Sequence, residues 1–133
     1  MATILIAEDE AIVAVDIKTR LERSGHQVVM IVASGEEAIC QTEAHRPDLV
    51  LMDIMLQGDI DGITAAEWIS KNLSIPIIFL TAYTETILVD RAKDVAPYGY
   101  LLKPFEENQL RIGIEMALAK RRQEKERIIP PHA

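Results

Sequence analysis

The sequence contains a single cysteine, Cys40, among 133 residues, which excludes an internal disulfide framework. It also lacks an apolar run long enough to span a membrane and a signal-peptide pattern, so we expect a cytoplasmic protein that does not enter a membrane. The three histidines show no paired spacing with cysteine or acidic residues, which disfavours a zinc site. The formal net charge of -7 disfavours direct binding to nucleic acid or to anionic membranes, because long-range repulsion opposes both.

What is present fits one ordinary folded domain. Apolar residues make up 49% of the chain and charged residues 26%, which is typical of soluble globular proteins. A chain of 133 residues can bury a substantial core without disulfides or a structural metal. Disorder is therefore not expected over most of the chain.

Strand-like and helix-like patterns alternate five times along the sequence. Near-continuous apolar runs predict strands at residues 3 to 7, 27 to 33, 48 to 52, 76 to 80 and 98 to 102, as expected when both faces of a sheet are covered. Helical spacing of apolar residues predicts amphipathic helices between and after them. Ser34 or Gly35 before Glu36-Glu37, and Thr84 before Glu85, are predicted helix starts. The irregular stretch 84 to 95 predicts the shortest or most mobile helix.

Five βα units with short links predict a three-layer α/β sandwich, in which right-handed crossovers place helices on both faces of a five-stranded parallel sheet. With the strand order 2-1-3-4-5, the first and third strands are neighbours at the topological switch point. Sheets of this kind bind ligands there, beyond the carboxyl ends of the strands.

Four predicted strands each deliver a reactive side chain at or just after their carboxyl end. Glu8 and Asp9 follow the first strand, Asp53 the third, Thr81 the fourth and Lys103 the fifth. Because these ends share one edge of a parallel sheet, the carboxylates, the hydroxyl and the ammonium should converge. Crowded carboxylates with a nearby cation suit a divalent metal such as Mg²⁺ and a phosphoryl group.

The ordered combination of these motifs resembles the receiver domain of two-component response regulators over roughly residues 2 to 120. The matching motifs are Glu8-Asp9, Asp53, Thr81-Ala82, Tyr100 and Lys103-Pro104-Phe105. Each motif is weak alone, but their order along the chain is specific. The resemblance implies a flavodoxin-like fold and a domain that is not an enzyme acting on other substrates, but catalyses only its own phosphorylation and dephosphorylation.

The resemblance also implies residue roles. Asp53 would accept a phosphoryl group from a phosphohistidine of a partner histidine kinase or phosphotransfer protein. Mg²⁺ would be held by Asp9, Asp53 and the backbone carbonyl of Met55, with Glu8 acting through water. Lys103 would neutralise phosphoryl charge, and its bond to Pro104 would be cis.

A switch follows from the same resemblance. Thr81 would hydrogen-bond the phosphoryl group after it arrives, and Tyr100 would turn inward to fill the vacated space. This movement would change the surface of the fourth helix, fifth strand and fifth helix. That surface would bind a downstream protein or a second copy of the chain.

Two segments depart from the usual family pattern. The segment after Asp53, residues 55 to 62, has no proline and is one residue longer than usual, so the loop geometry of the family is not carried over to it. Met55 and Tyr83 flank the expected path of an attacking water, and neither is a good base, so we expect slow hydrolysis of an acyl phosphate. The segment Pro97-Tyr98-Gly99-Tyr100 lacks the acidic residues that often precede the tyrosine in DNA-binding relatives.

Three other interpretations were weighed. A cofactor-binding flavodoxin-like protein needs a phosphate-cradling loop after the first strand, where acids stand here and would repel phosphate. A Mg-dependent phosphohydrolase with an aspartyl nucleophile ordinarily has a second acid two residues after the nucleophile, where Met55 stands. A protein-interaction module with the same fold but no phosphorylation is the third interpretation.

The end of the chain differs in composition. We divide the sequence into a receiver domain over residues 1 to 120 and a charged helical extension and tail over residues 121 to 133. The extension should continue the last helix and fray before Pro130 and Pro131. No recognisable output domain follows residue 120, so output is expected to occur through binding.

Overall fold

The computed structural model describes residues 1–82 and 86–128, with side-chain positions for all of these except 86–89 and 127–128. Within these residues, five strands and five helices alternate. They are β1 (Thr3–Ala7), α1 (Ala11–Arg23), β2 (Gln27–Val32), α2 (Gly35–His45), β3 (Leu49–Asp53), α3 (Gly62–Leu73), β4 (Ile77–Thr81), α4 (Thr86–Lys93), β5 (Gly99–Leu102) and α5 (Glu107–Ile128).

The five strands form one parallel sheet in the order β2-β1-β3-β4-β5, which confirms the predicted topology. The chain crosses over at the β1 and β3 pair, where Ile4 to Ala7 lie opposite Leu49 to Met52. The predicted strands match the observed ones to within one residue at either end. The sheet therefore ends, on its carboxyl side, at the residues that carry the candidate chemistry.

Alternate side chains along the strands pack into two separate cores, one on each face of the sheet. On one face, Leu5, Val50, Met52 and Phe79 pack with buried residues of α2, α3 and α4. On the other face, the intervening strand residues pack against α1 and α5; these strand residues are Ile4, Ile6, Leu49, Leu51, Ile78, Leu80 and Leu101. The helical residues Ala14, Ile17, Leu21, Leu110, Ile114 and Ala117 are buried in this second core, and Leu118 packs against it partly buried. Both faces are covered, which explains the near-continuous apolar strands.

Local signals set several helix boundaries. The hydroxyl of Ser34 accepts a hydrogen bond from the Glu37 amide at 3.1 Å and caps α2, as the sequence predicts. Arg46 ends α2 in the left-handed conformation and Pro47 follows. Gly25, with φ +89, turns the chain after α1. The predicted helix start at Thr84 lies outside the described residues.

The helices differ in length as expected. Within residues 1–82 and 86–128, α4 is the shortest helix, with 8 residues, and α5 is the longest, with 22. Helix α5 runs through residue 120 without a break and continues to Ile128. None of the described helices combines the length and the apolar character that a membrane crossing requires.

Candidate functional site

The sheet brings the predicted site residues to one edge. Glu8 and Asp9 follow β1, Asp53 ends β3, Thr81 ends β4, and Lys103 follows β5. Backbone hydrogen bonds extend the strand pairing to this edge: the Lys103 amide donates to the Thr81 carbonyl at 2.7 Å, and the Ile54 amide donates to the Leu80 carbonyl at 3.1 Å. The positions of these side chains thus follow from strand pairing rather than from loop conformation.

Lys103 joins the two buried acids of the site. Its ammonium Nζ lies 2.7 Å from Oε2 of Glu8 and 2.7 Å from Oδ2 of Asp53. Glu8 and Asp53 are only 2% and 3% exposed, so the two carboxylates share one cation in a poorly solvated place. Burial opposes the charge of Lys103, but its hydrogen bonds to Asp53 and Glu8 outweigh this effect and hold its pKa above the ordinary value.

Glu8 is the acid most affected by this environment. Its pKa is raised from 4.5 to about 7, mainly by burial and next by the hydrogen bond with Asp53, and Lys103 opposes both only in part. Crowded carboxylates in a low dielectric repel one another and favour a shared proton. An additional cation at this edge would favour the ionised form of Glu8.

A second group of carboxylates continues outward from Glu8. Oxygen atoms of Glu8, Asp9 and Glu10 all lie within 4.8 Å of one another. Glu8 is buried, Asp9 half-buried and Glu10 exposed, and the Glu10 amide donates to Oε1 of Glu8 at 3.2 Å. An all-oxygen, partly solvated donor set of this kind fits Mg²⁺, which retains several waters.

Among the described residues, the side chains predicted to bind the metal lie in two groups. Asp9 lies with Glu8 and Glu10, whereas Asp53 is outside that carboxylate cluster and is bound to Lys103. Glu8 belongs to both groups and connects them. Glu10 was not among the predicted ligands, although its place in the run Glu8-Asp9-Glu10 was a signal for it.

The segment after Asp53 turns back onto β3, the strand that ends at Asp53. The Met55 amide donates to Oδ1 of Asp53 at 3.0 Å, and the Gly62 amide donates to the Ile54 carbonyl at 2.9 Å. Gly62 lies so close that an added Cβ would stand 1.9 Å from the Asp53 carbonyl oxygen. A glycine is therefore required where α3 begins against the end of β3.

Glu36 binds the middle of this loop, whose geometry the sequence did not predict. Its Oε1 accepts hydrogen bonds from the amides of Asp59 and Ile60 at 2.9 and 3.0 Å. Gly58, with φ +95, lies against the same carboxylate. A hydrogen bond from its own backbone amide, followed by those from Ile60 and Asp59, holds the pKa of Glu36 below its ordinary value. The sequence indicated Glu36 only as a first-turn acid of α2, because its loop partners are more than twenty residues away.

The two predicted switch residues lie on adjacent strands. Thr81 is 4% exposed, and its hydroxyl donates to the Ala82 carbonyl at 3.3 Å. Tyr100 is 40% exposed, and its ring stacks on Phe79 with centroids 6.1 Å apart. Phe79 and Tyr100 are register partners in the β4 and β5 pair. Tyr100 thus points outward from the site, and burial of part of the ring raises its pKa.

Two further expectations have separate outcomes. The peptide bond between Lys103 and Pro104 is cis, which confirms the expectation drawn from the resemblance. Tyr83, predicted to shield the acyl phosphate from water, lies outside the described residues. Met55, its predicted counterpart, is 53% exposed.

Comparison with known proteins identifies the arrangement. Residues 4–115 match the response regulator receiver domain family. The chain belongs to this family. The receiver domain of a modulated diguanylate cyclase from Desulfovibrio desulfuricans G20 is 38% identical, with a TM-score of 0.88 over 93% of this chain and 98% of that one. The N-terminal domain of a response regulator/sensory box/GGDEF protein from Carboxydothermus hydrogenoformans is 36% identical, with a TM-score of 0.84 over 92% of this chain and 98% of that one.

Curated relatives of this receiver domain are longer than the chain. The transcriptional regulatory protein PdtaR of Mycobacterium tuberculosis is 40% identical over 120 residues, which are 90% of this chain and 58% of PdtaR. The phyllosphere-induced regulator PhyR of Methylorubrum extorquens is 36% identical over 120 residues, which are 89% of this chain and 44% of PhyR. The chain thus spans about half the length of these relatives.

Proposed function

We propose that this receiver domain is a phosphoacceptor, in which Asp53 takes a phosphoryl group from the phosphohistidine of a partner kinase or phosphotransfer protein. The observation that carries the proposal is the shared ion pair of Lys103 with Glu8 and Asp53, at 2.7 Å to each. A lysine between two buried acids supplies charge neutralisation at the point where phosphoryl oxygens would gather.

The chemistry follows from the residues of the site. An Asp53 oxygen forms a bond to phosphorus as the bond from phosphorus to the imidazole nitrogen of the donor breaks. The imidazole of the donor must carry a proton when this bond breaks, and it then leaves as a neutral ring. Lys103, already paired with Asp53, would follow the transferred oxygens, and the Met55 amide holds the second Asp53 oxygen in position.

Mg²⁺ is the metal that the donor set suits. Asp9, Asp53 and the Met55 carbonyl would hold the ion, with Glu8 through water, and Glu10 lies close enough to join them. When bound, the ion would neutralise developing charge on the phosphoryl group.

A pocket beside the site is suited to receive the phosphodonor. A cavity of about 540 Å³ lies between α1 and the β5–α5 connection, lined by Ile12, Asp16, Arg20, Lys103 and Phe105 among others. Ile12 is 87% exposed, an unusual position for so large an apolar side chain unless a partner covers it. Because Lys103 lines both the pocket and the site, a docked protein would bring its phosphohistidine next to Asp53.

Output is proposed to occur through the surface of α4, β5 and α5. This surface is apolar where β5 meets α5: Tyr100, Leu102 and Ile112 are 40%, 39% and 51% exposed. Phosphorylation would be sensed by Thr81 and relayed to Tyr100, which would change this surface and the affinity for a downstream protein or a second copy of the chain. We also propose a cytoplasmic location for the chain.

Incubation with Mg²⁺ and acetyl phosphate tests the phosphoacceptor proposal, with intact-mass spectrometry as the measurement. A single base-labile phosphoryl adduct that is lost in Asp53→Asn is the expected result. Continuous release of inorganic phosphate over many turnovers would indicate a phosphohydrolase instead. No adduct would indicate a phosphorylation-independent interaction module.

Docking of the donor is tested separately with Ile12→Ala. This variant should receive phosphate from acetyl phosphate at the unaltered rate, but more slowly from a phosphorylated histidine phosphotransfer protein. Ile112→Ala is the matched control, since Ile112 is an exposed isoleucine on α5 rather than at the pocket. Equal slowing with both donors would place Ile12 in the site itself and contradict the docking role.

A further inference from the structure

A second cavity lies at the opposite end of the sheet from Asp53. It measures about 510 Å³ and is bounded by the turns before β3 and β4 and by the last third of α5. Four cationic side chains line it, and we name it the basic cavity; they are Arg46, Arg121, Arg122 and Lys125. In a domain with a net charge of -7, such a concentration of positive charge is a local exception that composition did not reveal.

The cations come from segments distant in sequence. Arg46 follows the end of α2, and the other three lie on α5. Leu118, Arg121, Arg122 and Lys125 are spaced i, i+3, i+4 and i+7, which places them on one face of the helix. All four line the cavity. The face of α5 that packs on the sheet therefore changes from apolar to cationic where the helix passes the sheet edge.

The described residues do not provide carboxylate partners for these cations. Within that part of the chain, none of the four forms an ion pair of 4.0 Å or less. Asp48, the acid that lines the cavity, accepts hydrogen bonds from the amide and the hydroxyl of Thr3 at 2.8 and 3.1 Å. Both hydrogen bonds go to Oδ2 of Asp48, which keeps its negative charge, so one carboxylate faces four cationic side chains and the cavity lining stays positive.

Arg121 is held in place without losing its capacity to bind an anion. Its guanidinium donates to the Ser74 carbonyl at 2.5 Å and to the Ser74 hydroxyl at 3.3 Å. A guanidinium has five N–H donors, so further donors remain. Arginine held in one orientation suits phosphate oxygens, which it binds in a bidentate manner.

The floor of the cavity is apolar. Leu73, Ile75, Pro76 and Leu118 line it beside the cationic groups. Small-molecule sites typically measure roughly 300 to 1,000 Å³, and this cavity has that size; its lining is more polar than apolar, which suits a charged ligand. A long polyanion such as nucleic acid would meet the repulsion of the whole domain, whereas a small ligand meets mainly the local field.

We propose that the basic cavity binds a small phosphate-bearing ligand of nucleotide size, with its phosphates on the arginines and its apolar part on the floor. The site is separate from Asp53. Bound ligand would connect the extension of α5 to the turns before β3 and β4, and so would fix the direction in which the helix leaves the domain.

Titration of the nitrogen-15-labelled full chain with ATP in Mg-free buffer tests the proposal, with pyrophosphate as a second probe. Amide shifts should change around residues 46–48, 73–76 and 118–125 and should remain unchanged around Asp53 and Lys103. Arg122→Gln should weaken ATP binding by about tenfold or more, the loss expected for one charge-assisted hydrogen bond. Lys125→Gln is a second variant with the same expectation.

Arg111→Gln is the matched control. It removes one positive charge from the same helix, where Arg111 pairs with Glu115 at 3.7 Å outside the cavity, and should leave the affinity unaltered. If Arg111→Gln weakened ATP binding as much as Arg122→Gln does, the weakening would come from net charge alone, and the proposal would be overturned. Absence of binding by both probes, or binding by a single-stranded RNA oligonucleotide alone, would also overturn it.

Discussion

Lys103 is the residue on which the site depends most. It contacts two acids that lie 45 residues apart in sequence, Glu8 and Asp53, and both are buried. Burying one uncompensated carboxylate is costly, and two adjacent ones are more so. The lysine therefore stabilises the two acids in the structure itself, and the proposed function would give it a second role during phosphoryl transfer.

Lys103→Met is expected to reduce the rate of phosphorylation by acetyl phosphate by about 10²-fold or more, the scale seen when one charge-stabilising donor is removed from an active site. The same substitution should raise the pKa of Glu8 further, because the cation that favours its ionised form is gone. Mass spectrometry over time and carboxyl-carbon NMR measure the two effects. Lys71→Met, at an exposed lysine paired with Glu67, is the control and should alter neither.

His26 lies away from the site and should make the stability of the fold depend on pH. Its Nδ1 accepts a hydrogen bond from the Ala2 amide at 3.1 Å, so the neutral ring is required in the folded state. Burial holds the pKa of His26 below 6.5. The unfolded chain then binds more protons than the folded chain as the pH falls below 6.5. The free energy of unfolding therefore decreases in that range, and the fold becomes less stable.

Denaturant unfolding at pH 7.5 and pH 5.5 should therefore differ less for His26→Asn than for the original chain. Asparagine retains an acceptor for the Ala2 amide but does not titrate. If the two proteins lost the same free energy between these pH values, His26 would have no part in the acid sensitivity.

At the scale of elements, the beginning of α3 is tied to the end of β3 by close backbone contact. Asp61 caps α3 by accepting from the Thr64 amide at 2.8 Å, and it also pairs with Arg91 of α4 at 2.9 Å. Its pKa is lowered because these hydrogen bonds and Arg91 outweigh the opposing effect of burial. The start of α3 thus connects the end of β3 to α4, the helix at the proposed output surface.

Gly62→Ala should destabilise the fold by about 3 kcal/mol, at the upper end of the range for overpacking, because the new Cβ would stand 1.9 Å from a backbone oxygen that cannot move aside cheaply. Phosphorylation of Asp53 should slow as well, since that oxygen belongs to Asp53. Unfolding in urea and the acetyl phosphate assay measure these effects.

Gly113→Ala is the contrasting substitution. Gly113 lies within α5, and an added Cβ would meet only the flexible side chain of Leu101 at 3.4 Å. Alanine favours the helix by up to about 1 kcal/mol over glycine, so this variant should be neutral or more stable. Similar destabilisation by both substitutions would mean that the contact with Asp53 is not the cause.

At the scale of the whole molecule, the proposed switch connects the site to the distal face through β4 and β5. Thr81 and Phe79 lie on one strand, and Tyr100 stacks on Phe79 from the next. A phosphoryl group shifts the equilibrium only as far as it prefers one arrangement over the other. The outward Tyr100 described above is expected to be the minor arrangement after phosphorylation.

Beryllofluoride with Mg²⁺ should bury Tyr100 and bring the Thr81 hydroxyl within hydrogen-bonding distance of the phosphoryl mimic. Fluorine NMR of 3-fluorotyrosine-labelled protein, with Tyr→Phe variants for assignment, would report the change of environment. Thr81→Ala should abolish the response and Thr81→Ser should retain it. A Tyr100 resonance that moves equally in Thr81→Ala would show that Thr81 does not couple the two sites.

The sequence by itself determined where the strands end and which reactive side chains follow them, whereas the strand order 2-1-3-4-5 was an assumption that the sheet confirms. Strand-end positions are readable because hydrophobic periodicity fixes where each strand stops, and parallel pairing then sends all carboxyl ends to one edge. The start of α2 at Ser34 was readable for a similar reason, since capping depends on residues three positions apart.

Only the tertiary structure decided how these residues pair and what surrounds them. It assigned Lys103 to both Glu8 and Asp53, placed Glu10 beside the other acids, and anchored the irregular loop on Glu36. It also gathered Arg46 with the cations of α5 at the far end of the sheet. Such contacts join residues that no local period connects, so their distances depend on how the elements pack together.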